Sequence, residues 1–167
     1  LNLTYGQENY VSKSSQQVAV DLLLEKAEVA LQNANYDEAN HLINSATEIA
    51  KDSTIYAQAQ MVRISYYTSI NQFETSKNAI ESLTPYFEKT STNYAELLLL
   101  KAQLFINSDL IIEAETALSM TQVILVQKPN SAVSLFQNLT RAELDIKIKN
   151  YNSAQKSLLE LIPTLLS

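Results

Sequence analysis

The chain has 167 residues, 46% of them apolar, with one glycine, three prolines, no cysteine, and 18 acidic against 12 basic residues for a net charge of −6. That is one domain of ordinary size with enough apolar content for a core; the scarcity of glycine and proline argues against a turn-rich β fold, and an acidic balance without a lysine–arginine cluster excludes a nucleic-acid backbone as partner. The absence of thiols excludes disulfides and fits a reducing cytoplasm as well as a periplasm, while the longest apolar runs, Leu97–Leu100 and Val123–Val126, fall far short of the roughly 18 residues of a membrane span.

Residues 1–15 are polar and irregular and read as an N-terminal arm, with Tyr5 and Tyr10 available to pack on the first helix. The chain opens on Leu1 rather than methionine, as a processed or trimmed piece of a longer protein would. From Gln16 the period is helical, with Val20, Leu23, Leu24, Ala27, Ala30 and Leu31 at steps of three and four. A break at Asn33–Asn35 follows, and Tyr36, Ala39, Leu42, Ile43, Ala46 and Ile49 resume the step. Ser53 and Thr54 are N-cap candidates for a third helix, expected to reach about Ile70. After a break at Asn71, a fourth helix is expected to run to about Lys89, with Ser91 or Thr92 capping the fifth. The third unit breaks at Asn107–Asp109 and ends near Pro129 and Asn130; the fourth breaks at Lys149–Asn150 and runs to the end. Pro85 and Pro163 fall inside predicted helices and should delay or kink them. Asparagine at the breaks is expected to take the left-handed conformation of a tight turn, in place of glycine.

The result is four antiparallel helix pairs in one repeat domain over residues 16–167, with units of about 16–53, 54–91, 92–130 and 131–167. The pairs carry a common spacing. Ala27 and Ala39, Ala102 and Ala114, and Ala142 and Ala154 are each twelve residues apart, with Tyr36, Ile111 or Tyr151 three residues before the second alanine. Ile64, Phe73 and Ser76 keep the spacing in the second unit. The second small residues, Ala39, Ser76, Ala114 and Ala154, recur 37, 38 and 40 residues apart, which marks a repeat array. A small residue on each helix lets two backbones approach at a crossing, and the larger residue before it is expected to fill the space beside it.

These units resemble the tetratricopeptide-repeat (TPR) family in the segments Ala27…Asn35-Tyr36-Asp37-Glu38-Ala39, Ala102…Ile111-Ile112-Glu113-Ala114 and Ala142…Asn150-Tyr151-Asn152-Ser153-Ala154. Ile43, Ile80, Leu118 and Leu158 match the family's large apolar residue four positions on. Ala46 matches its next small position, whereas Leu83, Thr121 and Leu161 depart from it. The resemblance implies an all-α, right-handed α-solenoid of about four antiparallel helix pairs, with the first helix of each pair lining a concave binding face.

Chemistry-bearing constellations are sparse. His41 is the one histidine, so a zinc site would need three carboxylates around it, and a surface histidine is the expected reading. Asp37-Glu38, and Glu113 with Glu115, sit at predicted helix starts, where they favour the helix dipole. One glycine cannot make a phosphate loop. No catalytic residue, cofactor or metal is expected.

In the resemblance's frame, the face offset from the small residues runs through Asp21, Leu24, Glu28 and Leu31, then Gln58, Met61, Ser65 and Thr68, then Glu96, Leu99, Gln103 and Ile106, then Phe136, Leu139, Glu143 and Ile146. From it come the candidate partner-binding residues: Gln58, Met61, Ser65, Thr68, Glu96, Leu99, Gln103, Ile106, Phe136 and Glu143. They are expected to be mostly accessible. The competing reading makes Leu24, Leu99 and Leu139 core. Basic residues of the kind with which many family modules clamp a peptide carboxylate are missing from this face, so that clamp is not expected. Lys26, Arg63, Lys101 and Arg141 hold equivalent places, either as aliphatic cover of the groove rim or as a basic stripe. The nine tyrosines, Tyr66-Tyr67 among them, divide between core packing and a binding patch.

The expected function is a non-catalytic protein–protein interaction scaffold that binds a peptide or protein segment on the concave face, without membrane insertion. A homo-oligomerising structural domain stays open. So does an accessory or sensor domain of a larger bacterial envelope or signalling protein, in the cytoplasm or, if trimmed of a signal sequence, outside it. Segment 157–167 holds six leucines and isoleucines in eleven residues. It is expected to meet a second copy, as a homodimer through the C-terminal helix, or a following segment.

Overall fold

The computed structural model describes residues 14–50 and 53–159, and these form eight α-helices and no strand. They are α1 (Ser15–Gln32), α2 (Tyr36–Ile49), α3 (Ser53–Ser69), α4 (Phe73–Leu83), α5 (Thr92–Asn107), α6 (Ile111–Gln127), α7 (Ser131–Lys147) and α8 (Tyr151–Leu159). The arm at 1–13, Pro163 and most of the C-terminal apolar segment lie outside the described residues.

Three helices start on side-chain caps. The oxygens of Ser14, Ser91 and Asn130 accept the N–H groups of Gln17, Tyr94 and Val133 at 3.1, 3.1 and 3.0 Å. Helices α2, α4 and α6 have no such cap. They emerge from three-residue turns that share one hydrogen-bond pattern. Asn35, Gln72, Leu110 and Asn150 donate back to the carbonyls of Ala30, Tyr67, Phe105 and Asp145 at 2.7–2.9 Å. This six-to-one bond closes a helix C-terminus through a left-handed residue. That residue is Ala34, Asn71, Asp109 or Lys149, with φ between 55° and 62°. Asparagine therefore fills the position once, not in every turn as expected. Backbone bonds on both sides hold the conformation, offsetting the ~1–2 kcal/mol that a Cβ costs there.

Two helix limits differ from the sequence expectation. Helix α4 ends at Leu83 rather than near Lys89, and a 3₁₀ turn, Thr84–Tyr86, carries Pro85. The proline has no N–H to extend α4, and its ring opposes the carbonyl four residues back. Ser53 lies within α3 as its first residue rather than ahead of it as a cap.

The small residues are buried within paired helices. Ala27, Ala39, Ala102 and Ala114 are fully buried, and Ala142 and Ala154 nearly so. In the second pair, the buried Ser76 hydroxyl lies 2.8 Å from Thr68 Oγ1 and donates to the Ile64 carbonyl at 3.5 Å, across the crossing. In the fourth, Ser153 donates to the buried Asp145 carboxylate at 2.7 Å. Phe73 and Ile111 pack against the core beside their crossings. Tyr151 does not: it is 63% exposed, because Ala154 is the one buried residue of α8 within the described chain.

The helices pack in neighbouring pairs. The odd-numbered helices also lie side by side in chain order, and α2, α4 and α6 each pack on the following odd helix. Polar groups mark these second contacts: Arg63 reaches Asn44 and Thr47 of α2, and Arg141 holds Glu115 of α6 at 2.6–2.7 Å. Two apolar clusters result, and α3 serves both. Ile55, Ala59 and Val62 join Val20, Leu24 and Ile43; Ala57, Met61 and Ile64 join Ile80, Leu97 and Leu118. Helix α5 touches α3, α4, α6 and α7, so Leu97–Leu100 are buried right round its circumference.

At the α5–α6 crossing Ala102 and Ala114 are both fully buried in one apolar cluster. Ala102→Leu is expected to cost ~1–3 kcal/mol by overpacking, read as a lowered melting temperature. An unchanged melting temperature would remove Ala102 from a tight crossing.

Candidate functional site

The row of odd helices leaves one face uncovered, and there the chain forms a groove of about 790 Å³. Helix α1 supplies one wall through Asp21, Leu24, Glu25, Glu28 and Leu31; Gln58, Met61 and Ser65 of α3 make the floor; Glu96, Leu100 and Gln103 of α5 form the other wall, with Phe136 of α7 beyond. The steps of three and four follow from helical geometry, which stacks such residues on one face. A further pocket of about 380 Å³ continues the groove, sharing Ser65, Ser69 and Gln103, and adds Thr68, Ile106, Glu143 and Ile146.

Nine of the ten candidate residues line this surface: Gln58, Met61, Ser65, Thr68, Glu96, Gln103, Ile106, Phe136 and Glu143. Leu99 does not. It is fully buried, and Leu100 takes its place on the wall. Four successive leucines cover every direction around a helix, so the face toward the groove is fixed by tertiary packing and not by their order. Met61, Thr68 and Ile106 are also buried, contrary to the accessibility expected of them. They form the groove's floor and offer it little surface, because α3 and α5 are flanked on both sides. Leu24 is both core and lining, and Leu139 is neither, being 41% exposed outside the groove. Ser69 and Asn93, at helix ends, were missed; they fall beyond the regular face that periodicity reads.

Five carboxylates line the two pockets: Asp21, Glu25, Glu28, Glu96 and Glu143. No lysine, arginine or histidine is among the described lining residues. Partial loss of water pushes the Glu28 carboxyl up, and the negative charge of Glu25 adds to it. Burial likewise raises Glu96, with the charge of Glu28 acting across the α3 floor. Burial raises Glu143 too, against the lowering effect of a hydrogen bond donated by Gln103 at 3.4 Å.

The basic residues are spent elsewhere. Arg63 and Arg141 face α2 and α6, Lys101 lies 5.6 Å from the ring centre of Phe105, and Lys26 lines a small pocket at the α1–α2 end. None of the four is among the residues that line the groove. His41 is exposed on α2. No tyrosine lines the groove among the described residues: Tyr94 is buried, Tyr66 and Tyr67 pack ring to ring at 5.6 Å, and Tyr56 and Tyr86 are exposed. No helix among the described residues is long and apolar enough to cross a membrane. No protein-family model, curated protein or solved structure matches the chain.

The raised carboxyls carry a stability consequence. A carboxyl whose pKa is higher folded than unfolded weakens the fold above that pKa, and the cost fades as pH falls through it. Glu96→Gln is therefore expected to melt above the wild type at pH 7. The difference should shrink in acid as Glu96 protonates. A lower melting temperature at neutral pH would show that the charge is stabilised in place.

Proposed function

We propose that the chain is a non-catalytic interaction module, a TPR-like, right-handed α-solenoid that holds a peptide or protein segment along its first helices. The observation that carries this reading is the groove itself. It runs over α1, α3, α5 and α7, alternates aliphatic floor with polar walls, and gathers like charges that folding alone does not require. Perturbed carboxyls in a cleft are characteristic of sites that meet something else. The solenoid reading is supported by turns that recur with the same 37-, 38- and 40-residue spacing as the crossings, from Ala34 through Asn71 and Asp109 to Lys149.

The test is a selection of displayed random peptides on the immobilised chain, followed by binding of the winners to Ser65→Trp, which fills the groove midway. Selected peptides are expected to lose roughly tenfold or more in affinity, about 1.4 kcal/mol. Peptides that bind the variant unchanged, or a selection that yields none, would overturn the reading.

A homo-oligomerising domain is favoured by a different observation. Leu158 and Leu159 of α8 are 42% and 55% exposed at the end of the row. On that reading, light scattering gives a dimer that Leu159→Glu dissociates; a monomer at high concentration counts against it.

A further inference from the structure

We infer that the occupant of the groove is a cationic amphipathic segment, one whose lysines or arginines alternate with aliphatic side chains; this rests on the reading of the groove as a peptide site. The first argument is charge complementarity. Three helices of the odd row each place carboxylates on the lining of one trough: α1 with Asp21, Glu25 and Glu28, α5 with Glu96, α7 with Glu143. The trough contains no basic side chain among its described lining, although the chain has 12 such residues. Arg63 of α3 and Arg141 of α7 lie on helices that line the groove, yet they bond to α2 and α6 instead. Among the described residues, Glu25, Glu28, Glu96 and Glu143 thus share the trough's lining with no basic side chain, and a concave surface focuses their potential.

The second argument is the distribution. The carboxylates are spread over α1, α5 and α7, and no group of three acidic or histidine side chains among the described residues could hold a metal ion. Charges spread over three helices fit a segment with several cationic groups better than a single ion. Between the carboxylates lie Leu24, Met61, Leu100 and Phe136, which offer apolar contact that a purely polar polycation would not use. A segment alternating apolar and basic residues then places one kind on the floor and the other on the walls. Exposed ion pairs of this kind contribute speed and selectivity more than affinity, and weaken with salt.

The test uses three labelled synthetic dodecapeptides with blocked ends, alternating Leu–Lys, Leu–Glu and Ser–Lys, measured by fluorescence anisotropy. They are titrated against the wild type, against Glu28→Gln/Glu96→Gln/Glu143→Gln, and against Glu74→Gln/Glu81→Gln/Glu88→Gln. The last removes three charges from exposed positions outside the groove. Melting curves establish that each variant is folded. The Leu–Lys peptide is expected to bind the wild type and the outer-surface variant alike, to lose roughly tenfold in affinity on the groove variant, and to weaken with added salt. Leu–Glu should not bind, and Ser–Lys should bind at least tenfold more weakly. Equal loss on both triple variants would overturn the inference in favour of net charge alone. So would Ser–Lys binding as tightly as Leu–Lys, or no binding of Leu–Lys at all. Neutral or acidic peptides that bind and are blocked by Ser65→Trp would defeat the cationic occupant while leaving the peptide site standing. Absence of any groove-dependent peptide would defeat both.

Discussion

Two helices joined by three residues lie together only if their backbones can approach within the first turn after the loop. In this chain an alanine or serine stands at the start of the second helix four times, twelve residues after Ala27, Ile64, Ala102 or Ala142 of the first, and all eight are buried. The left-handed turns and the crossings act together. The turn aims the second helix back along the first, and the missing side-chain bulk lets it arrive. Once each pair is closed, its remaining apolar stripes have one direction left to face, toward the next pair. The side-by-side row α1, α3, α5, α7 follows.

The groove is what remains of the odd helices after their pair partner and their neighbours in the row have taken their shares. Its floor is therefore apolar and nearly buried, as at Met61 and Ile106, and its walls are polar, as at Gln58, Glu96 and Gln103. Carboxylates on these walls are not needed for packing. Glutamine would make the same helix and the same wall without the repulsion that Glu28 and Glu96 exert on each other. The stability–function trade familiar at binding sites is consistent with this arrangement.

Much of the architecture was legible in the sequence because helical periodicity and breaks are local signals. Asn33–Asn35, Asn71, Asn107–Asp109 and Lys149–Asn150 each stand at an observed turn. The offset face was legible for the same reason, from Asp21 to Glu143 in steps of three and four. Other features depend on tertiary context. Leu99 and Leu100 are indistinguishable by period when Leu97 and Leu98 precede them, and the surroundings of α5 decide between them. The identity of the left-handed residue was misjudged because backbone hydrogen bonds, and not side-chain preference, hold Ala34 and Lys149 there. The approach of Glu28 to Glu96 joins residues 68 positions apart and leaves no trace in either helix alone.

The sharing of α3 between two apolar clusters has a consequence for local opening. The first cluster is the smaller and relies on alanines and valines, with Val20, Leu24 and Ile43 its larger members outside α3, whereas the second extends through α5 and α6. The α1–α2 pair packs chiefly on α3 among the described helices, so it can open locally without disturbing the contacts of α3 with α4 and α5. Release of α1 and α2 would leave α3 still seated on α4 and α5, and would take with it the wall that bears Asp21, Glu25 and Glu28. The groove is thus complete only while α1 stays seated on α3. Anything that bridges α1 to α5 would, by mass action, hold α1 in place.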